Sequence, residues 1–292
     1  VQAHIPCLGI EPTVSTAAAA KKLDIPVIPE FFGQSLAKRL ASERNLADLI
    51  VGNNVFAHVP DINDFTAGLK ILLKPGGTIT LEFPHLMRLI DQIQFDTIYH
   101  EHFSYLSLYT VIRIFRNAGL RVFDVEELPT HGGSLRVYGC HIEDERRDTQ
   151  SVMSLLNAER TSGMRDKEVY QSFQSRANTV KNKFLRFLLE QKTAGNTVIA
   201  YGAAAKGNTL LNYAGIKHDL LPYVVDRCLG KQGKFLPGSR IPIVTEARIQ
   251  MERPQFIVIL PWNIKEEVMA QLSYVREWGG KFVTAIPNLE VS

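Results

Sequence analysis

Four consecutive residues, Tyr99-His100-Glu101-His102, set a phenol, two imidazoles and a carboxylate side by side, with Phe95, Ile98 and Phe103 around them. A solvated loop has no need of those apolar neighbours, and a plain core segment would not carry so many titratable groups. Groups that exchange protons near neutral pH inside a partly apolar wall suit general acid–base chemistry. In a strand, Tyr99 and Glu101 would share one face and His100 and His102 the other; a turn or helix start would relax that split. His-x-His can also begin a zinc site, but no further Cys, His or carboxylate follows at ligand spacing, so acid–base work is preferred and no metal site is expected.

Other candidates depend on where the strands end. Glu11 closes a short apolar run, where an acidic side chain in a nucleotide-binding sheet accepts from ribose hydroxyls; an exposed loop glutamate fits equally. Asn53 and Asn54 end the run Ala47–Asn54, at the edge where doubly wound sheets hold ligands, though Asn is also a common turn residue. His58 follows among apolar residues and reads as structural or catalytic. Further on, Gly202-Ala203-Ala204-Ala205-Lys206-Gly207-Asn208-Thr209 follows a strand and opens a helix. Small residues let backbone N–H groups approach a phosphate, and Lys206 adds a charge. The loop lacks both the P-loop ending and Gly-x-Gly-x-x-Gly. Asp226 ends the next strand, where a carboxylate can read a ribose, and Lys231 sits in a basic loop suited to an anion.

These groups require an α/β frame. Helical spacing is read at 15–23, 35–44, 64–73 and 108–118, and strands at 27–28, 47–54 and 78–83, with Lys74–Gly77 as a turn. Strands 120–125 and 135–141, joined by a Gly-rich turn with no room for a crossover, must pair antiparallel. Residues 1–143 thus read as a doubly wound sheet with an antiparallel edge. Residues 144–193 turn polar with apolar residues at helical spacing, a helical connector. From 194 to 292 the alternation resumes as a second α/β unit, with strands at 197–201, 223–225, 256–260 and 282–285 and helices at 208–214 and 265–278.

The whole chain sets limits. At 292 residues, 45% hydrophobic and 22% charged, it reads as about two soluble globular domains. A net charge of +3 gives no ground for nucleic acid or a membrane surface. No apolar run reaches the roughly 18 residues of a membrane span. Three scattered cysteines, Cys7, Cys140 and Cys228, suit reduced thiols and a cytoplasmic location.

Taken together, Phe95–Tyr105, Thr130-His131-Gly132-Gly133-Ser134-Leu135-Arg136, Tyr201–Tyr213, Val225-Asp226-Arg227 and Leu236-Pro237-Gly238 resemble the S-adenosylmethionine-dependent C-methyltransferases of nucleotide-linked ketosugars. The likeness spans essentially the whole chain. It implies a class I methyltransferase (Rossmann-like) domain followed by a C-terminal Rossmann-like domain holding the nucleotide-diphosphate sugar. It makes His102 the general base, with Tyr99 and Glu101 as neighbours and His58 as a contributor. Glu11, Asn53 and Asn54 would hold S-adenosylmethionine; Gly202, Lys206, Gly207, Asn208, Asp226 and Lys231 would lie near the diphosphate. The family's zinc-binding N-terminal domain and the first strand of its methyltransferase sheet have no counterpart here. An unfilled sheet centre is therefore expected between the strands ending at Glu11 and Asn54. The alternative is a non-catalytic nucleotide-sugar-binding protein. A nicotinamide-dependent dehydrogenase would explain two α/β units but not the Tyr99–His102 cluster.

Overall fold

The computed structural model describes residues 5–292; Val1–His4, at which the sequence opens, lie outside them. In chain order the first elements are β1 (Gly9–Ile10), α1 (Val14–Lys21), β2 (Val27–Ile28), α2 (Gln34–Ser42), β3 (Ala47–Asn53), α3 (Ile62–Leu72) and β4 (Leu73–Pro84). Then come α4 (Leu86–Asp91), α5 (Leu108–Asn117), β5 (Leu120–Leu128), β6 (Ser134–His141), α6 (Gln150–Thr161), α7 (Lys167–Gln171) and α8 (Phe173–Thr193). The last are β7 (Val198–Tyr201), α9 (Ala205–Tyr213), β8 (Val224–Val225), β9 (Ile243–Val244), α10 (Ala247–Glu252), β10 (Phe256–Ile259), α11 (Lys265–Gln271), β11 (Lys281–Thr284) and β12 (Glu290–Val291). Two compact units result. One holds the residues up to Pro84 with Phe103–Leu128 and Ser134–Glu159; the other holds His85–His102, Pro129–Gly133 and Arg160–Ser292.

In the first unit β3, β4, β6 and β5 form a four-stranded sheet in that order, parallel at β3–β4 and antiparallel beyond. The antiparallel β5–β6 edge is the one expected from the short connection. β1 and β2 pair parallel in a separate two-stranded sheet. Among the described residues β1 and β3 are not bonded to each other, so the sheet divides where an unfilled centre was expected. Leu49 and Val51, which share one face of β3, are more than half exposed, although apolar side chains suit a covered strand face. The turn expected at Lys74–Gly77 is instead carried within β4. Pairing jumps from Leu73 to Thr78 while β3 advances only from Ala47 to Leu49, so the extra residues bulge out. Asp61 caps α3, its carboxylate accepting from Asn63 and Asp64 N–H.

The second unit is built on a six-stranded sheet ordered β12-β11-β10-β7-β8-β9, parallel except for β12. Alternation along its strands makes two cores. Val198, Ala200, Val224 and Val258 face Phe184, Leu188 and Leu211 on one side; Ile199, Val225, Ile257 and Phe282 face Ile249, Val268 and Leu272 on the other. In α8 the buried Ala177, Val180, Phe184, Phe187 and Leu188 follow helical spacing, so one stripe of a polar helix packs down. Each such large apolar side chain contributes about 1.5–3 kcal/mol. The helix expected over 265–278 ends sooner: α11 stops at Gln271 and a 3₁₀ turn, Ser273–Trp278, runs to Gly279 at φ 78°. No helix among the described residues is long and apolar enough to cross a membrane.

Candidate functional site

The candidate residues divide between the two units. In the first, Glu11 follows β1 and its Oε1 accepts the Thr13 N–H at 2.7 Å, at the entrance to α1. Asn53 ends β3, and Asn54 takes φ 55°, a left-handed value that Asn tolerates better than most residues. The Asn54 N–H donates to the Glu82 carbonyl at 2.8 Å, so both amides sit at the carboxyl edge of the parallel pair. His58 closes the 3₁₀ turn Phe56–His58, whose Phe56 and Ala57 are buried. The Ala57 carbonyl accepts from Phe103 and Ser104 N–H at 2.9 and 3.2 Å. Sequence reasoning passed over Glu82, nearly buried on β4, whose carboxylate accepts from Arg136 at 2.9 Å.

In the second unit the Tyr99–His102 segment is a tight turn, not a strand, closed by the His102 N–H donating to the Tyr99 carbonyl at 3.0 Å. The strand alternation considered above therefore does not apply. The turn stacks the Tyr99 and His102 rings, centroids 4.4 Å apart and 28° from parallel. Glu101 is exposed. His102 Nδ1 lies 2.7 Å from the Thr97 carbonyl oxygen. Since a carbonyl only accepts, the proton belongs on Nδ1 and the basic lone pair on Nε2.

Just before this turn, the 3₁₀ turn Phe95–Thr97 is buried throughout, and Phe95 joins the α8–α9 core. Asp96 is fully buried; its Oδ2 accepts the Trp262 indole N–H at 2.8 Å and its Oδ1 has no hydrogen-bond partner. Burial pushes Asp96 up to about 6, with the Trp262 hydrogen bond and the charge of Lys206 working the other way. Because its proton is held more tightly in the fold than in the unfolded chain, Asp96 favours the folded state at low pH. That contribution is lost as pH rises from about 4 through about 6. The difference between an ordinary 3.8 and about 6 corresponds to about 3 kcal/mol at 1.36 kcal/mol per pH unit. Urea unfolding of Asp96→Asn and the parent chain across pH 4–7, followed by Trp fluorescence, should show their stability difference shift by about that amount in the variant's favour. A constant difference would contradict this ionisation.

The order of the six strands places β7 between β8 and β10, so the chain leaves β7 and β10 in opposite directions at their carboxyl ends. Open α/β sheets take ligands at such a switch point. Gly202 follows β7 at φ 91°, and a Cβ there would lie 2.5 Å from the Pro261 ring, so only glycine fits. Gly207, in the first turn of α9, lets the helix approach Leu260. Asp226 braces the loop: its Oδ2 accepts the Ala203 N–H and its Oδ1 the Cys228 N–H, both at 2.8 Å. Lys231 Nζ donates to the Ala203 carbonyl at 2.9 Å and lies 3.4 Å from Asp226. Lys206 Nζ donates to Asn263 Oδ1 at 2.7 Å and stands 4.8 Å over the Trp262 ring, and burial lowers its pKa. The Asn208 amide oxygen is buried and has no hydrogen-bond partner. Trp262 and Asn263 were not singled out from sequence; the signal available was Pro-Trp-Asn directly after an apolar strand. Gly132 lies here too, against Trp262, its carbonyl accepting from Gln94 Nε2 at 2.6 Å. Among the described residues, no three His, Cys, Asp or Glu side chains gather as a metal set.

Comparison with known proteins fits this architecture. A family model described as the C-methyltransferase C-terminal domain matches residues 129–287, and one described as a methyltransferase domain matches 6–125. The C-methyltransferase NovU of Streptomyces niveus is 34% identical over 284 residues, which cover 97% of this chain and 68% of that protein. Among solved structures, a methyltransferase of Thermotoga maritima, titled a possible histamine N-methyltransferase, is 18% identical with a TM-score of 0.37, covering 47% of this chain and 72% of that one. One from Anabaena variabilis is 16% identical with a TM-score of 0.38, covering 46% and 67%. With a relative this similar along nearly its full length and a family match over more than half of it, the chain belongs to the S-adenosylmethionine-dependent C-methyltransferases.

Proposed function

We propose that the protein methylates the carbon beside the ketone of a nucleotide-linked ketosugar, with His102 as general base. The observation that carries this reading is the His102–Thr97 bond, which leaves Nε2 as the basic atom beside a stacked phenol. A proton next to a ketone is removable because the resulting enolate carries its charge on oxygen. His102 Nε2 takes that proton, and the Tyr99 hydroxyl donates to the enolate oxygen. When bound, S-adenosylmethionine supplies an electrophilic methyl group on a sulfonium. Residues of the first unit suit its adenosine: Glu11, after β1, suits the ribose hydroxyls, and Asn53 and Asn54 lie at the carboxyl end of β3.

The nucleotide diphosphate belongs at the switch point of the second unit, against the backbone of Gly202–Asn208 and the start of α9. The contacts of Asp226, Lys231 and Lys206 make them shapers of that loop as well as sources of charge. A second reading, nucleotide-sugar binding without catalysis, draws support from the separation of β1–β2 from the four-stranded sheet.

Calorimetric titration separates the two. Thymidine diphosphate and S-adenosylmethionine should both bind, with micromolar dissociation constants typical of substrates (about −8 kcal/mol). Binding of thymidine diphosphate alone would favour the second reading, and binding of neither would remove both.

A further inference from the structure

The chemistry assigned to His102 depends on where its imidazole proton sits, and groups outside the Tyr99–His102 motif set that. The Thr97 carbonyl facing Nδ1 belongs to the turn Phe95–Thr97, in which both the N–H and the hydroxyl of Thr97 donate to the Gln94 carbonyl, at 3.1 and 2.8 Å. From the middle of that turn Asp96 reaches the indole N–H of Trp262, 166 positions away in sequence. Trp262 stands just after β10 at the switch point, beneath the ammonium of Lys206, which Asn263 holds.

A neutral acceptor would satisfy an indole N–H at lower cost. Burying a carboxylate is expensive, and here one of its oxygens has no hydrogen-bond partner. What a charged acceptor adds is a stronger, more directional bond, with Lys206 across the ring to balance it.

We propose that Asp96 and Trp262 are positioning residues for His102: their buried carboxylate–indole bond holds the Phe95–Thr97 turn so that the Thr97 carbonyl keeps the imidazole proton on Nδ1. Lys206 extends the same strut to the first turn of α9, so the base and the loop assigned to the diphosphate rest on one set of contacts. The significance for catalysis rests on the function proposed above. The tautomer does not, and it is measured without substrate.

The test is nitrogen NMR of the full chain labelled with ¹⁵N-histidine, His102 being assigned by comparison with His102→Gln. The parent chain should show a protonated Nδ1 and a pyridine-like Nε2 at His102. Trp262→Phe keeps an aromatic ring and removes the donor. It should mix the two tautomers and lower kcat on a thymidine-diphosphate ketohexose by on the order of 10²-fold while KM changes little. Asp96→Asn, whose neutral amide oxygen still accepts the indole N–H but more weakly, should mix the tautomers in part and lower kcat by less than Trp262→Phe does. A proton on Nε2 in the parent chain overturns the proposal whatever the variants do. So does a folded Trp262→Phe with unchanged tautomer and kcat.

Discussion

Replacing His102 with alanine should slow removal of the proton beside the ketone by about 10²–10⁴-fold, the range general-base catalysis contributes. The measurement is deuterium uptake from D₂O into thymidine- and uridine-diphosphate ketohexoses, which isolates proton abstraction from methyl transfer. KM should change little, because the site proposed for the nucleotide diphosphate, Gly202–Asn208, does not include the imidazole. An interaction made only as the proton leaves lowers kcat and kcat/KM together. A Tyr99→Phe comparison keeps the stacked ring and removes the hydroxyl, so its loss should be smaller and confined to stabilisation of the enolate oxygen. Uptake undiminished in His102→Ala would remove His102 as the base.

Why His102 could be singled out from sequence, while its supports could not, follows from the range of the interactions. The i, i+3 stacking of Tyr99 and His102 is local, and four clustered titratable residues among aromatics are visible in any window. Parallel strands buried on both faces, such as β7 and β10, appear as short apolar runs, and the β5–β6 pairing follows from a connection too short for a crossover. Asp96 to Trp262 is different. Nothing near Asp96 marks its partner, because the bond exists only once β10 lies beside β7 and the turn packs on α9. The same limit applied to Lys206: read alone it is a cation for phosphate, whereas the fold turns it onto Asn263 and the indole. The bulge in β4 was hidden for another reason. Pro-Gly-Gly signals a turn, and only the β3 register reveals that the strand continues on both sides of it.

Glu159 shows the same gap between local and distant signals, with a large effect attached. The first turn of α5 has three amide donors with no intrahelical acceptor, and all are accounted for. Leu108 and Tyr109 N–H donate to the two carboxylate oxygens of Glu159 at 2.6 and 3.0 Å, and Thr110 N–H donates to the Ser107 hydroxyl at 3.2 Å. With Val111 the helix takes over, bonding to the Ser107 carbonyl at 3.1 Å. Ser107 caps α5 from the residue directly before it, a local contact. Glu159 lies about fifty residues later on α6, and its 2% exposure identifies it as part of the first unit's interior. An anion at a helix N-terminus gains from the dipole as well as from hydrogen bonds to charge, each worth about 1.5–3 kcal/mol. Glu159→Ala should therefore cost about 4 kcal/mol, reduced from the simple sum because the carboxylate no longer has to be buried. Glu159→Gln, which keeps one acceptor and no charge, should cost about half as much. Urea unfolding combined with hydrogen exchange at the α5 amides checks both. A loss below about 1 kcal/mol for the alanine variant would mean that water, not Glu159, satisfies this helix end.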